Sequence, residues 1–200
     1  MPDQAQAKQE IISAGRRLAA QGLVYAHSGN ISSRLDQGSC LITASGVLKS
    51  ALTEEDVLRI DYQGRVLDTS LQRRPSSETG LHTALYRNDP QIAAIVHAHP
   101  PYATALASAG QALNWRLLEE SRLFLGPVPL LPQLPAGSAE LARAAAAAAA
   151  DVSALLLAGH GAISWGESME EALCRMEIIE HTARVMLLQK AFLQAGAGDV

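Results

Sequence analysis

The sequence has few cysteines and few aromatic residues, and its apolar residues form no long run. Cys40 and Cys174 are the only cysteines among 200 residues, too few for a disulfide framework or a four-cysteine metal site. No stretch approaches the ~18 consecutive apolar residues that a membrane-spanning helix requires. The first residues also lack the basic and apolar segments of a secretory signal. We therefore expect a cytoplasmic protein that contacts no membrane.

Positive charge is also scarce. The 16 lysine and arginine residues are outnumbered by 20 aspartate and glutamate residues, so the formal net charge is −4 at pH 7. Proteins that bind nucleic acid present a basic surface to its phosphates, so we expect no nucleic-acid partner. Hydrophobic residues make up 48% of the chain, enough for a buried core. A chain of this length predicts a single domain over residues 1–200.

Helical and β-prone segments alternate along the chain. Alternation of this kind predicts an α/β protein built in layers. Short glycine turns between several strands favour a mixed or antiparallel sheet. Helices are predicted at residues 4–21, from 76 or 77 to 87, from 101, in an alanine-rich stretch capped by Ser138, and from a capping box at 168–171 to 193. Strands are predicted at 31–35, 40–42, 59–60, 92–99, 128–131 (an edge strand, because it contains a proline) and 153–157.

Two histidines stand two residues apart in the predicted strand 92–99. Side chains at positions i and i+2 of a strand point to the same face, so His97 and His99 could chelate one cation from a rigid backbone. A third imidazole, His160, follows the predicted strand 153–157 and stands between two glycines. The alternatives are a structural histidine pair and a tight Gly-His-Gly turn, and the residues alone leave both open.

Three small polar segments could bind an anion. Ser76 and Ser77 stand at the start of a predicted helix, where free backbone N–H groups and hydroxyls converge. Glu78 follows them and could act between a metal and a substrate. The segments 28–30 and 43–46 contain glycine and could present N–H groups to a phosphate. The alternatives are an ordinary helix cap for the first segment and simple turns for the other two.

Together these motifs resemble the class II aldolase/adducin family, over a stretch from about residue 8 to about residue 190. The resemblance implies a three-layer α/β/α sandwich around a largely antiparallel sheet. It further implies a homotetramer with one divalent ion per subunit, Zn²⁺ or alternatively Mn²⁺, Fe²⁺ or Co²⁺. Five motifs occur in the order and spacing of the family: Gly29-Asn30, Ser45-Gly46, Ser76-Ser77-Glu78, His97-x-His99 and His160-Gly161.

The resemblance also implies a role for each motif. His97, His99 and His160 would bind the metal, and Glu78 would be both a displaceable fourth ligand and the catalytic acid/base. The implied reaction is reversible cleavage of a ketose 1-phosphate, such as L-fuculose 1-phosphate, to dihydroxyacetone phosphate and a short aldehyde. Six residues would hold the phosphate of this sugar phosphate: Gly29, Asn30, Ser45, Gly46, Ser76 and Ser77.

The sequence departs from the fuculose-phosphate-cleaving members in two places. Those members use a mid-chain tyrosine from a neighbouring subunit, whereas all four tyrosines here precede residue 103. Trp115, Arg116 or Glu119 could replace it. His27 stands where those members have a small hydroxyl residue. The same metal site could instead decarboxylate a 3-oxo-tetronate 4-phosphate or dehydrate methylthioribulose 1-phosphate, and a non-catalytic adducin-like module is a further alternative.

Overall fold

A seven-stranded sheet runs through the part of the chain that the computed structural model describes, residues 3–68 and 72–196. The strands are β1 (Asn30–Arg34), β2 (Ser39–Thr43), β3 (Val57–Asp61), β4 (Ala94–Ala98), β5 (Leu130–Leu131), β6 (Ala154–Leu157) and β7 (Gly161–Gly166). Their spatial order is β3-β2-β1-β4-β7-β6-β5. The pair β5–β6 is parallel and the other neighbouring pairs are antiparallel, so the predicted, largely antiparallel sheet is confirmed.

Helices cover both faces of the sheet. Successive strand residues point to opposite faces, so Val96 joins one hydrophobic core and its neighbour Ile95 joins the other. The result is the predicted three-layer α/β/α sandwich. The first face is covered by α1 (Gln4–Ala20), α3 (Pro101–Ser108) and α6 (Met169–Gly196), and α4 (Glu119–Phe124) packs against α6. The second face is covered by α2 (Thr79–Asn88) and α5 (Ala139–Ala148).

Side-chain caps start three of the predicted helices, including α6, where Ser168 accepts a hydrogen bond from the backbone N–H of Glu171. Asp3 accepts a hydrogen bond from the backbone N–H of Gln6 at the start of α1. Ser138 accepts one from the N–H of Leu141, and the alanine-rich segment that follows forms α5. None of the described helices combines the length and the apolar character needed to cross a membrane.

The start of α2 was predicted two or three residues too early. The helix begins at Thr79 rather than at Ser76 or Ser77, because the preceding segment continues the sheet. The N–H of Ser45 donates to the carbonyl of Arg74, and the N–H of Ser76 donates to the carbonyl of Thr43. Ser76 therefore ends an extended segment beside β2, and Ser77 lies in the turn that leads into α2, which brings both serines next to the loop that follows β2.

The predicted strand 92–99 was too long, and one strand was missed. β4 ends at Ala98, so His99 lies beyond the strand and its N–H donates to the carbonyl of Leu23. β7 was not predicted, because its two glycines and its alanine leave few strand-favouring residues in a six-residue segment. The edge strand predicted at 128–131 is confirmed in place but shortened to two residues, since Pro129 cannot donate to a strand partner.

Candidate metal and substrate site

Three imidazoles meet where β4 and β7 lie side by side. His97 is in β4, His99 directly follows it, and His160 directly precedes β7, which pairs antiparallel with β4. One ring nitrogen from each histidine lies within 4.8 Å of the others. The Nε2 atoms of His97 and His99 are 3.1 Å apart. The structure thus brings together the three histidines that the sequence singled out.

Two glycines allow the backbone to approach this closely. A Cβ atom on Gly161 would clash with the carbonyl oxygen of Ala98 and lie 3.0 Å from the His99 ring. A Cβ atom on Gly29 would lie 2.7 Å from the carbonyl oxygen of His97, and Gly29 also has a φ of +74°. Both positions therefore require glycine, the second for its backbone conformation as well as for space.

Hydrogen bonding and burial leave the imidazoles ready to bind a cation. Nδ1 of His97 lies 2.9 Å from the carbonyl oxygen of Ala162, which can only accept, so Nδ1 carries the proton and the lone pair of Nε2 faces the cluster. Burial, with a smaller contribution from the nearby His97, lowers the pKa of His99 to about 4. The same two causes hold the pKa of His160 below its usual value. His99 and His160 are therefore neutral at pH 7, the form that binds a metal.

Glu78, the residue before α2, points its carboxylate at the histidines. Oε2 lies 3.0 Å from Nε2 of His97 and accepts a hydrogen bond of 2.9 Å from the amide of Asn30. Oε1 lies 3.3 Å from Nε2 of His160. Burial alone would raise the pKa of Glu78, but His97, His160 and the Asn30 amide outweigh it and hold the pKa well below its usual range. The carboxylate is therefore ionised.

One oxygen of this buried carboxylate lacks a hydrogen-bond partner in the described part of the chain. Oε1 of Glu78 has no hydrogen-bond partner among residues 3–68 and 72–196, although the side chain is only 7% exposed. An unpartnered buried anionic oxygen is costly unless a cation or proton completes its surroundings. Three imidazole nitrogens and one carboxylate oxygen are the ligands of many catalytic divalent-metal sites. The residues present therefore fit a divalent cation.

A cavity of about 170 Å³ opens beside the histidines. The extended segment before α2 and the loop after β2 form one wall, and the turn before β1 forms another. Glu78, His99 and His160 line this cavity. So do all six residues predicted to hold a phosphate: Gly29, Asn30, Ser45, Gly46, Ser76 and Ser77. Ser45 and Ser77 are exposed there, whereas Ser76 is buried and its Oγ accepts from the N–H of Glu78.

The residues considered as replacements for the mid-chain tyrosine lie elsewhere. The Arg116 guanidinium stacks over the Trp115 ring at 4.2 Å, and Glu119 pairs with Arg122 at 2.6 Å. Trp115, Arg116 and Glu119 are not among the described residues that line the cavity, whereas His27 is. Within one chain, the structure therefore brings only His27 of these four residues to the site.

Lys49 lines the cavity and was missed by the sequence analysis. It is 2% exposed, and its ammonium donates to the backbone carbonyls of His27, at 3.3 Å, and Val47, at 3.0 Å. Burial lowers its pKa to about 8, so it remains largely charged at pH 7. A single lysine three residues after Gly46 gives no specific sequence pattern, so only the fold could reveal its place.

His82, also missed, lies behind Glu78 in the second layer of helices. It is fully buried, and its Nε2 lies 2.5 Å from Oδ1 of Asn30. The sequence does contain a pattern for it, because His82 follows Glu78 by four residues and so occupies the same face of a helix. The partner strand β1, which supplies Asn30, could not be inferred from that spacing.

The sandwich fold with its three histidines and carboxylate defines a metal-dependent lyase, as predicted. Residues 9–187 match the family model described as the class II aldolase and adducin N-terminal domain. The chain belongs to this family, and the resemblance drawn from its motifs is confirmed.

Individual relatives share the fold and differ in their reactions. A methylthioribulose-1-phosphate dehydratase of Methylococcus capsulatus is 35% identical, over 86% of this chain and 88% of that protein. A 5-deoxy-D-ribulose 1-phosphate aldolase of Bacillus thuringiensis serovar kurstaki is 35% identical, over 92% of this chain and 85% of that protein. The crystal structure of L-fuculose-1-phosphate aldolase from Thermus thermophilus superposes with a TM-score of 0.85 at 33% identity, covering 96% of this chain and 98% of that one.

Proposed function

We propose that the protein reversibly cleaves a ketose 1-phosphate to dihydroxyacetone phosphate and a short aldehyde, using Zn²⁺. The observation that carries this proposal is the ionised carboxylate of Glu78. One of its oxygens has no hydrogen-bond partner in the described residues, and the carboxylate faces three histidines at the edge of a cavity lined by N–H and hydroxyl groups. Such a site combines a metal, a proton carrier and an anion-binding surface, which are the three parts that this reaction needs.

Each group has a distinct part in the proposed reaction. A divalent ion held by His97, His99 and His160 would supply Lewis-acid stabilisation of the negative charge that develops on the substrate oxygens. Breaking the C3–C4 bond releases one proton from the C4 hydroxyl and consumes one at C3. In the synthetic direction the ionised carboxylate of Glu78 removes the proton from C3 at Oε1; in cleavage the same carboxylate takes up the proton that the C4 hydroxyl releases and returns it to C3. The phosphate, bound in the cavity, supplies positioning energy away from the reacting bond.

The names of the relatives narrow the proposed substrate class. Methylthioribulose 1-phosphate, 5-deoxy-D-ribulose 1-phosphate and L-fuculose 1-phosphate are all ketose 1-phosphates. In each of them the carbon at the far end of the chain carries no hydroxyl group. We therefore propose a ketose 1-phosphate that ends in a methyl or thioether group, so that the aldehyde product is small and partly apolar.

Dehydration of such a substrate is the second candidate. The dehydratase relative is as similar to this chain as the aldolase relative, at 35% identity each. No tyrosine follows Tyr102, so the aldehyde-side proton has no tyrosine carrier in the second half of the chain. Both reactions use the same metal, phosphate contacts and substrate class, and they differ in whether a carbon–carbon or a carbon–oxygen bond breaks.

A product assay separates these reactions. We expect the zinc-loaded protein to release dihydroxyacetone phosphate from 5-deoxyribulose 1-phosphate, measured by coupled enzymatic reduction. Methylthioribulose 1-phosphate and fuculose 1-phosphate would be assayed in parallel for dihydroxyacetone phosphate and for a dehydrated diketone. A 3-oxo-tetronate 4-phosphate would be assayed separately for release of CO₂. A dehydrated product without dihydroxyacetone phosphate would establish the second candidate. Turnover of none of these substrates would refute both.

Lys49 supports the assignment of the cavity to a phosphate. Its ammonium bonds to two neutral carbonyls, so those partners leave its positive charge available to an anion in the cavity. We expect Lys49→Met to raise KM for a ketose 1-phosphate about 10- to 100-fold, because hydrogen bonds to charged groups are worth about 1.5–3 kcal/mol. Ser77→Ala should act in the same direction.

Lys8→Met is the matched control for Lys49. The Lys8 ammonium also donates to a backbone carbonyl, that of Glu54, but it lies outside the lining of the cavity. The KM of the Lys8→Met variant for the ketose 1-phosphate should stay close to that of the wild type. The phosphate assignment fails if the wild type turns over a ketose and its 1-phosphate equally well, or if Lys49→Met leaves KM unchanged.

The proposal includes a homotetramer in the cytoplasm. Large apolar side chains on α4 and α6 are exposed, and surfaces of this kind are commonly covered by another subunit. A neighbouring copy could also bring Trp115, Arg116 or Glu119 to the cavity from outside. The exposed apolar residues are Leu123, Phe124, Leu188, Phe192 and Leu193.

A further inference from the structure

We infer that His82 is a positioning residue for Glu78. It stands at the centre of a relay of five buried side chains: Tyr86, Ser32, His82, Asn30 and Glu78. The relay engages Oε2 of Glu78 and leaves Oε1 without a hydrogen-bond partner in the described residues, so that Oε1 can carry the proton. The inference rests on the proposed acid/base role of Glu78. His82 is not itself among the residues that line the cavity or form the three-histidine cluster, so it acts through its neighbour Asn30, which does line the cavity.

Two simple spacings build the relay. Glu78, His82 and Tyr86 are four residues apart at the start and along the inward face of α2, so they form a row. Asn30 and Ser32 are two residues apart in β1 and point to the same face of the sheet. Because α2 covers that face, the two rows interdigitate.

The contacts alternate between the strand and the helix. All five side chains are buried, with exposures between 0% and 6%. Four hydrogen-bond distances define the relay: Tyr86 Oη to Ser32 Oγ, 2.8 Å; Ser32 Oγ to His82 Nδ1, 2.6 Å; His82 Nε2 to Asn30 Oδ1, 2.5 Å; and Asn30 Nδ2 to Glu78 Oε2, 2.9 Å.

The two ends of the Asn30 amide set the direction of the first bonds. Nδ2 of Asn30 lies 2.9 Å from Oε2 of Glu78 and Oδ1 lies 2.5 Å from Nε2 of His82, so the NH₂ group donates to the carboxylate and the carbonyl oxygen faces the imidazole. A carbonyl oxygen only accepts, and therefore Nε2 of His82 must carry a proton. Both steps follow from which atoms are able to donate.

The remaining bonds follow from the neutral form of His82. Complete burial lowers its pKa to about 3, so the ring carries one proton, at Nε2, and Nδ1 is an acceptor. The hydroxyl of Ser32 must then donate to Nδ1, and the hydroxyl of Tyr86 must donate to Ser32. Every donor in the relay points toward Glu78.

The relay therefore distinguishes the two oxygens of the carboxylate. Oε2 is fixed by Asn30, whose amide is itself fixed by His82, whereas Oε1 has no hydrogen-bond partner in the described residues. Without the His82 donor, the Asn30 amide could rotate and release the carboxylate. Loss of such an orienting partner typically costs about 10- to 100-fold in activity or in metal affinity.

Kinetics of two His82 variants test this role. We expect His82→Leu to lower kcat about 10- to 100-fold, with KM for the ketose 1-phosphate changed by less than about threefold, because the phosphate contacts remain. His82→Gln keeps a donor near the Nε2 position and should recover most of kcat. A wild-type kcat in His82→Leu, or no recovery in His82→Gln, would overturn the inference.

Thr83→Val is the matched control for these variants. Thr83 is the next residue of α2 and is also buried, but within the described part of the chain its hydroxyl donates only to the carbonyl of Gly80. It should retain a kcat close to that of the wild type. A loss in Thr83→Val as large as that in His82→Leu would show that packing within α2, rather than the relay, controls the rate.

An NMR measurement tests the relay without any substrate. The wild-type protein has six histidines, so imidazole ¹⁵N labelling gives few signals. At pH 7 we expect one neutral ring protonated on Nε2, with that proton close to the amide of Asn30. This proximity assigns the signal to His82 even if no variant folds. A charged ring, or a proton on Nδ1, would refute the relay. If instead the NMR result holds and no ketose phosphate is turned over, the proposed function fails and the relay stands.

Discussion

Glu78→Gln is expected to lower kcat by about 10²–10⁴-fold while the protein keeps its metal. Glutamine preserves the shape of the side chain but cannot exchange a proton at Oε1. The three histidines remain to hold the metal, so metal content should change far less than the rate. The decisive measurement is paired, with kcat and metal content determined on the same preparation.

Glu140→Gln separates this effect from the loss of a charge at a helix start. Glu140 is exposed in the first turn of α5, and Glu78 stands directly before the first residue of α2, so both interact with the positive end of a helix. That interaction is worth about 0.3–1 kcal/mol, which affects stability and not turnover. Glu140→Gln should therefore keep its full kcat.

The opposite outcome would be equally clear. If fully metallated Glu78→Gln turned over substrate at the wild-type rate, Glu78 could not be the proton carrier. His27 would then be examined first, because it is an ionisable residue that lines the same cavity. Glu119 would follow, and since it lies outside the cavity within one chain, it would have to act from a neighbouring subunit.

The residues of the site could be predicted because each motif is local. His97 and His99, for example, are two residues apart, and that short-range spacing is independent of the rest of the fold. The structure nevertheless changes the reason for their meeting. His99 lies beyond the end of β4 and is held there by a hydrogen bond to the carbonyl of Leu23. The prediction of proximity was confirmed, whereas the strand that was invoked for it ends one residue earlier.

Residues that depend on contacts between distant segments were not predicted. Lys49 and His82 belong to this group, because their partners lie on other segments of the chain. Lys49 reaches the turn before β1 through the carbonyl of His27, and His82 reaches β1 through Asn30. The pairing of segments is decided by burial of both faces of the sheet, and a single sequence shows which residues are apolar without showing which strands become neighbours.

The predicted start of α2 was wrong for a related reason. The start of α2 was placed at the serines because serine is a common helix cap. In the structure the N–H of Ser76 already donates to the carbonyl of Thr43 in β2, and the N–H of Ser45, just after β2, donates to the carbonyl of Arg74. Tertiary pairing therefore displaced the helix start to Thr79. This displacement has a functional consequence, since it leaves the hydroxyl of Ser77 exposed at the cavity rather than folded back onto the helix.

His97→Ala is expected to remove most of the bound metal. The purified wild type should hold about one divalent ion per chain, and the variant would retain two imidazoles and one carboxylate as ligands. Loss of an orienting partner alone typically costs about 10- to 100-fold in affinity, so loss of a direct ligand should cost at least about 100-fold. Elemental analysis after dialysis against a chelator measures the effect.

Two further variants make this result interpretable. His97 is fully buried in β4, so its replacement also leaves a cavity that could weaken the fold. His160→Ala removes a ligand from a half-buried position outside any strand and should lose metal to a similar extent with less effect on stability. His181→Ala, on the exposed side of α6, should keep the full metal content. If the wild type held no metal and gained no activity with zinc, or if His97→Ala and His160→Ala both stayed fully metallated, the three histidines would not be the ligands.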